Sequence, residues 1–395
     1  MSDAFSVTIG WSTASAPERA GKEAAEKALG SLSGQPKLAL VFGSSWFDQP
    51  ALLQGVRSVL RDVPLAGEST AGEIVPDGPI SHSCTVMLIA STLLSCGVGV
   101  SEGIDRKPRD AGHLMAKAAL SEFHGDPRQG LLFFGDGLVT SYADVVRGIQ
   151  EVLGTSSLIV GGMAGDDLRF RKTYQYAHGQ VLTRAVVGVL LGGPVKIGVG
   201  IEHGFVPISK PRRITRSNAN ILYELDRQPA TSVYEEYFGA ELVQRMREEA
   251  FARQSIAYPL GIRLEPSDPW LLRNVVAFGE DGSLFCSGDM LQDAWLHLMI
   301  GSRELALEAS RRAARQAVAS LRHVEFALVF NAAVRRQLLG TEQAAREIAQ
   351  IREALGAAVP IAGCYTYGEQ GPAGPSIEEP TALQTGSVLV IAVGT

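Results

Sequence analysis

The chain has 395 residues, with 36 Lys and Arg against 42 Asp and Glu, a formal charge of −6. Hydrophobic residues make up 46% and charged residues 20%, the profile of a well-cored globular protein rather than a disordered one. This mild acidity argues against nucleic acid or an anionic membrane as a partner, since both need clustered positive charge. No apolar run approaches the roughly 18 residues of a membrane span, and the start, Met1-Ser2-Asp3-Ala4, lacks a basic and then apolar leader. Cys84, Cys96, Cys286 and Cys364 are scattered, with no C-x-x-C pair. They read as reduced thiols of a cytoplasmic protein.

In chain order, the patterning predicts helices over Pro17–Leu29, Pro50–Arg61, Asp110–Phe123, Tyr142–Leu153, Pro229–Tyr237, Ser302–Arg322 and Thr341–Leu355. Pro17 suits a first helical position. Asp136, or Thr140-Ser141, would cap the fourth helix and Thr341 the last. Between them run short aliphatic strands such as Val86–Ala90, Ala185–Leu191 and Val388–Val393, with so few charges that both faces must be buried. The stretch from Phe205 to Asn220, broken by Pro207 and Pro211, reads as the connection out of a first domain, and Arg263–Asp268 as a loop of the second.

A repeat underlies this order. Val63–Gly78 and Val359–Gly374 share the ungapped pattern V-P-[LI]-A-G-x-x-T-x-G-E-x-x-P-x-G, each preceded by A-L-V-F, at Ala39–Phe42 and Ala327–Phe330. A weaker copy runs from Leu131-Leu132-Phe133-Phe134 to Gly161-Gly162-Met163-Ala164-Gly165-Asp166. Each copy reads as strand, helix, strand, glycine loop and further strands. The fold class is therefore α/β: two domains of twisted, largely buried sheet flanked by helices, with duplicated strand-helix-strand-Gly-loop units.

The loops carry the chemistry. Glycine lets a backbone approach a ligand where a Cβ would block it. Thr70 and Thr366 offer hydroxyls, Glu73 and Glu369 carboxylates, and in the middle copy Asp166 takes the place of the glutamates. The ligand-binding set is Ser69, Thr70, Gly72, Glu73, Gly161, Gly162 and Asp166 in one half. Arg335, Thr366, Tyr367, Gly368 and Glu369 form the set of the other. The acids would meet a ligand amine and Arg335 a carboxylate, a pairing that suits an amino acid. Binding would close the halves about the connecting segment. The competing account is a set of turns whose Thr and Glu satisfy backbone groups.

There is no G-x-S-x-G elbow, H-E-x-x-H or Walker loop, and the stretch after Asp166, Leu168-Arg169-Phe170-Arg171-Lys172, is too charged for a buried helix. No catalytic residue is assigned, and the chain reads as a non-enzyme. A hydrolase or transferase using Glu369 or Asp166 as base is an alternative without a visible nucleophile. The seven histidines show no metal-ligand spacing, so no metal and no cofactor is predicted. The arginines of 303–322 read as a solvated helix face, with docking onto an acidic partner as the alternative.

Taken jointly, these residues resemble the FIST proteins, modules with an N-terminal and a C-terminal FIST half. The resemblance rests on Gly67–Glu73, Gly161–Asp166, Gly204-Phe205-Val206-Pro207, Ile214-Thr215-Arg216-Ser217, Glu224-Leu225-Asp226, Tyr258-Pro259-Leu260-Gly261, Arg335 and Gly363–Glu369. It implies halves at 1–204 and 229–395 joined by a connecting segment at 205–228. It also implies a ligand-binding sensor in signal transduction, with a histidine kinase, chemoreceptor or cyclic-di-GMP enzyme as partner. With no kinase or cyclase segment fused, such a sensor would act in trans. Some bacterial members of similar length bind haem b to sense nitric oxide, which makes haem the alternative cofactor, its axial histidine unassigned. The chain departs from the family at three places: Phe330-Asn331-Ala332 stands for a usual Phe-Ser-Cys, Ala382-Leu383-Gln384-Thr385 keeps only the end of another motif, and Arg227 replaces a usual Gly after Leu225-Asp226.

Overall fold

A computed structural model of the chain describes residues 4–139, 142–248, 258–374 and 376–395. The first unit runs β1 (Phe5–Ser12), α1 (Pro17–Gly30), β2 (Leu38–Ser44), α2 (Gln49–Leu60), β3 (Leu65–Thr70), a hairpin of β4 (Glu73–Val75) and β5 (Gly78–Ile80), and β6 (Cys84–Ser91). The second repeats it with β7 (Ser95–Glu102), α3 (Pro108–Glu122), β8 (Arg128–Gly135), α4 (Tyr142–Leu153), β9 (Ile159–Met163), the hairpin β10 (Gln175–Ala177) and β11 (Gln180–Leu182), and β12 (Ala185–Gly192). The third opens with β13 (Lys196–Glu202), after which the chain leaves for an inserted lobe.

The lobe comprises β14 (Phe205–Pro207), β15 (Arg212–Asn218), β16 (Ile221–Leu225), β17 (Gln228–Pro229), α5 (Ser232–Phe238), α6 (Ala240–Glu248), β18 (Leu260–Arg263), β19 (Leu271–Arg273), β20 (Val275–Phe278), β21 (Leu284–Cys286) and β22 (Trp295–Gly301). Its strands form one irregular sheet over a separate core that includes Ile214, Leu222, Tyr234, Leu260 and Leu298. The third unit then resumes with α7 (Arg303–Val318), β23 (Val324–Ala332), α8 (Ala333–Leu355), β24 (Ile361–Thr366), the hairpin β25 (Gly368–Pro372) and β26 (Thr381–Gln384), and β27 (Val388–Gly394).

Each unit builds a sheet around one parallel pair, β2/β3, β8/β9 or β23/β24, flanked by antiparallel strands. The hairpins do not stay at home. β4–β5 of the first unit joins the third sheet through β24, β10–β11 joins the first through β3, and β25–β26 joins the second through β9. The three sheets face a common apolar core, in which Phe42, Phe134 and Phe330 from equivalent strands meet with ring centroids 6.0–6.3 Å apart. Outside, α1 and α2, α3 and α4, and α7 and α8 each cover one sheet.

The expected helices are found within a few residues. Tyr142–Leu153 matches at both ends, although its expected cap Thr140-Ser141 lies outside the described residues. Thr341 follows a break at Gly340 (φ 70°) that divides α8, so the last helix has a preceding segment from Ala333 that the sequence reading left out. Residues 205–228, expected as a connecting segment, form strands β14 to β16 and the start of β17 in the lobe. They mark where the chain leaves the three-sheet body, to which it returns at α7. Because the sheets are interleaved through their hairpins, the two sequence halves are not separate bodies that can close on each other. No helix among the described residues is long and apolar enough to cross a membrane.

Candidate functional site

The glycine loops lie at the carboxyl ends of the three parallel pairs. Gly67, Gly161 and Gly363 are held against the neighbouring strand: a Cβ on any of them would stand 1.9 Å from the carbonyl oxygen of Val41, Phe133 or Val329. Their smallness serves strand packing rather than the approach of a ligand. The next residue in each copy, Glu68, Gly162 or Cys364, points to the shared axis. A Cβ on Gly162 would lie 2.9 Å from Glu68 Oε1, and the Cys364 thiol donates to that oxygen at 3.5 Å. Glu68 is fully buried and its Oε2 has no partner. Burial pushes its pKa well above the carboxylate range, opposed by the thiol.

Strand register identifies the true equivalents of the predicted acids. Cys364 pairs with Glu73, Gly162 with Glu369, and Glu68 with Gln175. The middle copy therefore carries Gln175 where the others carry glutamate, and Asp166 is not its counterpart. A loop between β9 and β10 separates the two and hides the match from a sequence alignment.

Glu73 accepts from the hydroxyls of Thr70 and Ser83, and Glu369 from Thr366 at 2.6 Å and Ser387 at 2.5 Å. Both carboxyls are fully buried, and desolvation raises each to about 8 against the hydroxyls' pull in the other direction. They are thus held as neutral acids at pH 7, and the amide of Gln175 is their permanently neutral equivalent. Linkage gives a test. The unfolded chain releases these protons above about pH 4.5 and the folded chain only near 8. The stabilisation is complete below the lower value and is lost as pH rises through the window. Unfolding free energy should fall by up to about 1.4 kcal/mol per pH unit for each group. Urea titrations at pH 5.5 and 7.5 should reveal that slope, and it should flatten in Glu73→Gln/Glu369→Gln; equal slopes in the two proteins would refute it.

The other predicted residues are equally engaged. Ser69 donates to Gly165 O at 2.7 Å and accepts from Tyr174 N at 2.9 Å. Gly72 (φ 127°) faces Arg336, whose Nη1 would lie 1.9 Å from an added Cβ, and Gly368 packs on Leu383. Arg335 is a correction. It lies with no exposed surface, giving Nε to Asn331 Oδ1 at 3.0 Å, Nη1 to His203 O at 2.6 Å, and Nη2 to Ala306 O, Ser310 Oγ and Glu347 Oε1 at 2.6–2.8 Å. Its guanidinium is consumed by the fold and is not open to a ligand carboxylate.

Asp166 and Tyr367, expected in the binding sets of different halves, meet at one loop. Asp166 accepts from the amides of Phe170, Arg171 and Lys172 at 2.6–2.9 Å and from the Tyr367 hydroxyl of the third unit. Asp167 accepts from Ser44 and Ser45 of the first unit at 3.0 and 2.6 Å. Phe170 stacks on Tyr367 at 4.7 Å, and Arg169 lies 4.3 Å over Trp46. Asp167, Leu168 and Phe170 all have φ between 53° and 61°, a left-handed run that non-glycine residues hold only under constraint. One loop of the second unit thus grips all three.

Beside it opens a cleft of about 650 Å³, lined by Asp105, Asp136, Leu138, Val139, Arg171, Lys172, Thr173, Thr183 and Arg184. Asp136, expected as a helix cap, instead accepts from Leu138 N, Thr173 Oγ1 and Arg184 N at 2.7–3.1 Å. None of these wall residues was in the predicted set; the charge of Arg171-Lys172 was the one available signal. As for haem, His178 lines a second cleft, but with Arg57, Arg61, Asp62 and Glu122, a charged wall unsuited to a porphyrin face. Burial takes His203 down to about 4, and it accepts from Phe205 N, while His297 Nδ1 lies 2.7 Å from Ser209 O. These surroundings do not fit a haem.

An uncharacterized protein of Methanocaldococcus jannaschii is 27% identical over 208 residues, which is 49% of this chain and 40% of that protein. The chain thus spans less than half the length of this relative. Among solved structures, cyanuric acid hydrolase from A. caulinodans aligns over 99% of this chain and 100% of its own, at 11% identity and a TM-score of 0.35. Phosphoribosylformylglycinamidine synthase II from Thermotoga maritima aligns over 100% and 73%, at 12% identity and a TM-score of 0.23. The FIST N domain model matches residues 37–228 and the FIST C domain model residues 230–372. On those two matches the chain belongs to the FIST family of small-ligand sensor domains in signal transduction.

Proposed function

We propose that this chain is a non-enzymatic sensor that takes a small polar metabolite, with amino acids among the candidates, in the cleft beside residues 165–174. It would signal to a separate protein such as a histidine kinase, a chemoreceptor or a cyclic-di-GMP enzyme. The observation that carries this reading is the loop that forms one cleft wall while bonding to all three units. A guest held there acts on contacts between units, so that occupancy changes the surface a partner meets. Against a hydrolase or transferase stands the state of its candidate bases: Glu369 is buried on two hydroxyls and Asp166 on three amides.

A thermal-shift series with neutral, cationic and anionic metabolites, amino acids included, tests the reading. A ligand at a hundredfold excess over its Kd adds about 2.7 kcal/mol, a rise of several degrees in Tm for a protein this size. A flat response across every class at millimolar concentrations would overturn it.

A further inference from the structure

We propose that the cleft between Asp136, Arg171, Lys172 and Arg184 is a site for a small dianion, a dicarboxylate or a phosphate monoester; this rests on the sensor reading above. Its size is that of a small-molecule pocket. Its three cations, Arg171, Lys172 and Arg184, outnumber its two carboxylates, Asp105 and Asp136, by one, and both carboxylates are already engaged within the wall. Asp136 is only 4% exposed and spends its oxygens on Leu138 N, Thr173 Oγ1 and Arg184 N. Asp105 holds Arg184 at 3.3 Å. Arg171 and Lys172 remain, both exposed and, among the described residues, without an ion pair; Lys172 Nζ rests 5.0 Å over the Tyr174 ring.

Two adjacent cations, one of them a planar fork suited to carboxylate or phosphate oxygens, match two negative charges. The match is one of geometry: each of the two cations without an ion pair can take one anionic group of the same ligand, which a ligand with a single such group cannot offer. Leu138 and Val139 provide an apolar wall for a short carbon skeleton. The backbone amides of Arg171 and Lys172 are gripped by Asp166, which also receives the Tyr367 hydroxyl. A load on these side chains therefore bears on the bond to the third unit. It also bears on Arg169, two residues away, which covers Trp46.

The full chain can be titrated with succinate and inorganic phosphate, with acetate as the monoanion and lysine and putrescine as cationic controls. Thermal shift and tryptophan emission serve as readouts. Dianions should bind at least tenfold more tightly than acetate and lose affinity as salt rises. Arg171→Ala and Lys172→Ala should each weaken binding about tenfold, and Lys172→Glu should abolish it. Trp46→Phe should remove the emission change while keeping the thermal shift. Response to phosphate alone assigns the monoester, and response to succinate alone the dicarboxylate. If neutral or cationic compounds stabilise the protein and dianions do not, or if the variants bind dianions as the parent does, the dianion site is refuted while the sensor stands. If no class stabilises it, the sensor reading itself falls.

Discussion

Arg335→Ala is expected to destabilise the fold by about 3–5 kcal/mol, measured as a lowered urea midpoint at unchanged slope. The guanidinium and the Glu347 carboxylate are both without exposed surface, 2.6 Å apart. Asn331 Nδ2 and Ser310 Oγ complete the carboxylate's shell at 2.6 and 2.5 Å. Removing the cation leaves a buried carboxylate with only neutral donors, and takes from the His203 carbonyl its Nη1 donor, while the Ala306 carbonyl keeps the Ser310 hydroxyl at 3.0 Å. Those two carbonyls stand where the chain departs for the lobe and where it returns, so Arg335 fastens both ends of the insertion. Limited proteolysis near residues 203–206 should accelerate along with the loss of stability. Replacing both partners, as Arg335→Met with Glu347→Leu, should recover much of the deficit, because the cost lies in the orphaned charge rather than in the pair. A single variant that unfolds at the parental midpoint would contradict this account.

Phe330→Ala should cost a similar amount, about 3–5 kcal/mol. The ring is fully buried and touches both Phe42 at 6.0 Å and Phe134 at 6.1 Å, edge to face. Three sheets converge on it, so no single element can move in to fill the hole. Phe42→Ala and Phe134→Ala should fall in the same range, since the three rings occupy equivalent strand positions. Pairs of these substitutions should not add, because each removes a neighbour of the other. Additive losses would mean that the rings act independently and that the axis is not one packed unit.

The duplicated loops were legible because V-P-[LI]-A-G combines a turn signal with strand residues in a gap-free run. Gly161 marked the third copy for the same reason: its place against Phe133 tolerates no side chain. The exchange of hairpins was not legible, since it pairs residues such as Glu73 and Cys364 across almost three hundred positions. Gln175 was missed because a loop pushes it out of alignment and because an amide in place of an acid looks like a loss. In a buried site where the acid is neutral, the two are interchangeable. Arg335 was misread for a related cause: sequence reports its charge but not its depth, and a helix-borne arginine beside polar residues looks available to solvent. The cleft was invisible since its walls come from four separate stretches, none with a motif of its own.

The traded hairpins also govern how the chain can be made. The first sheet is complete once residue 182 has emerged from the ribosome, because β10 and β11 close its edge. The second waits for β25 and β26, and the third for β27, whose last residue is Gly394. Until residues 368–394 have been made, then, the second and third sheets each lack strands that pair with those already present.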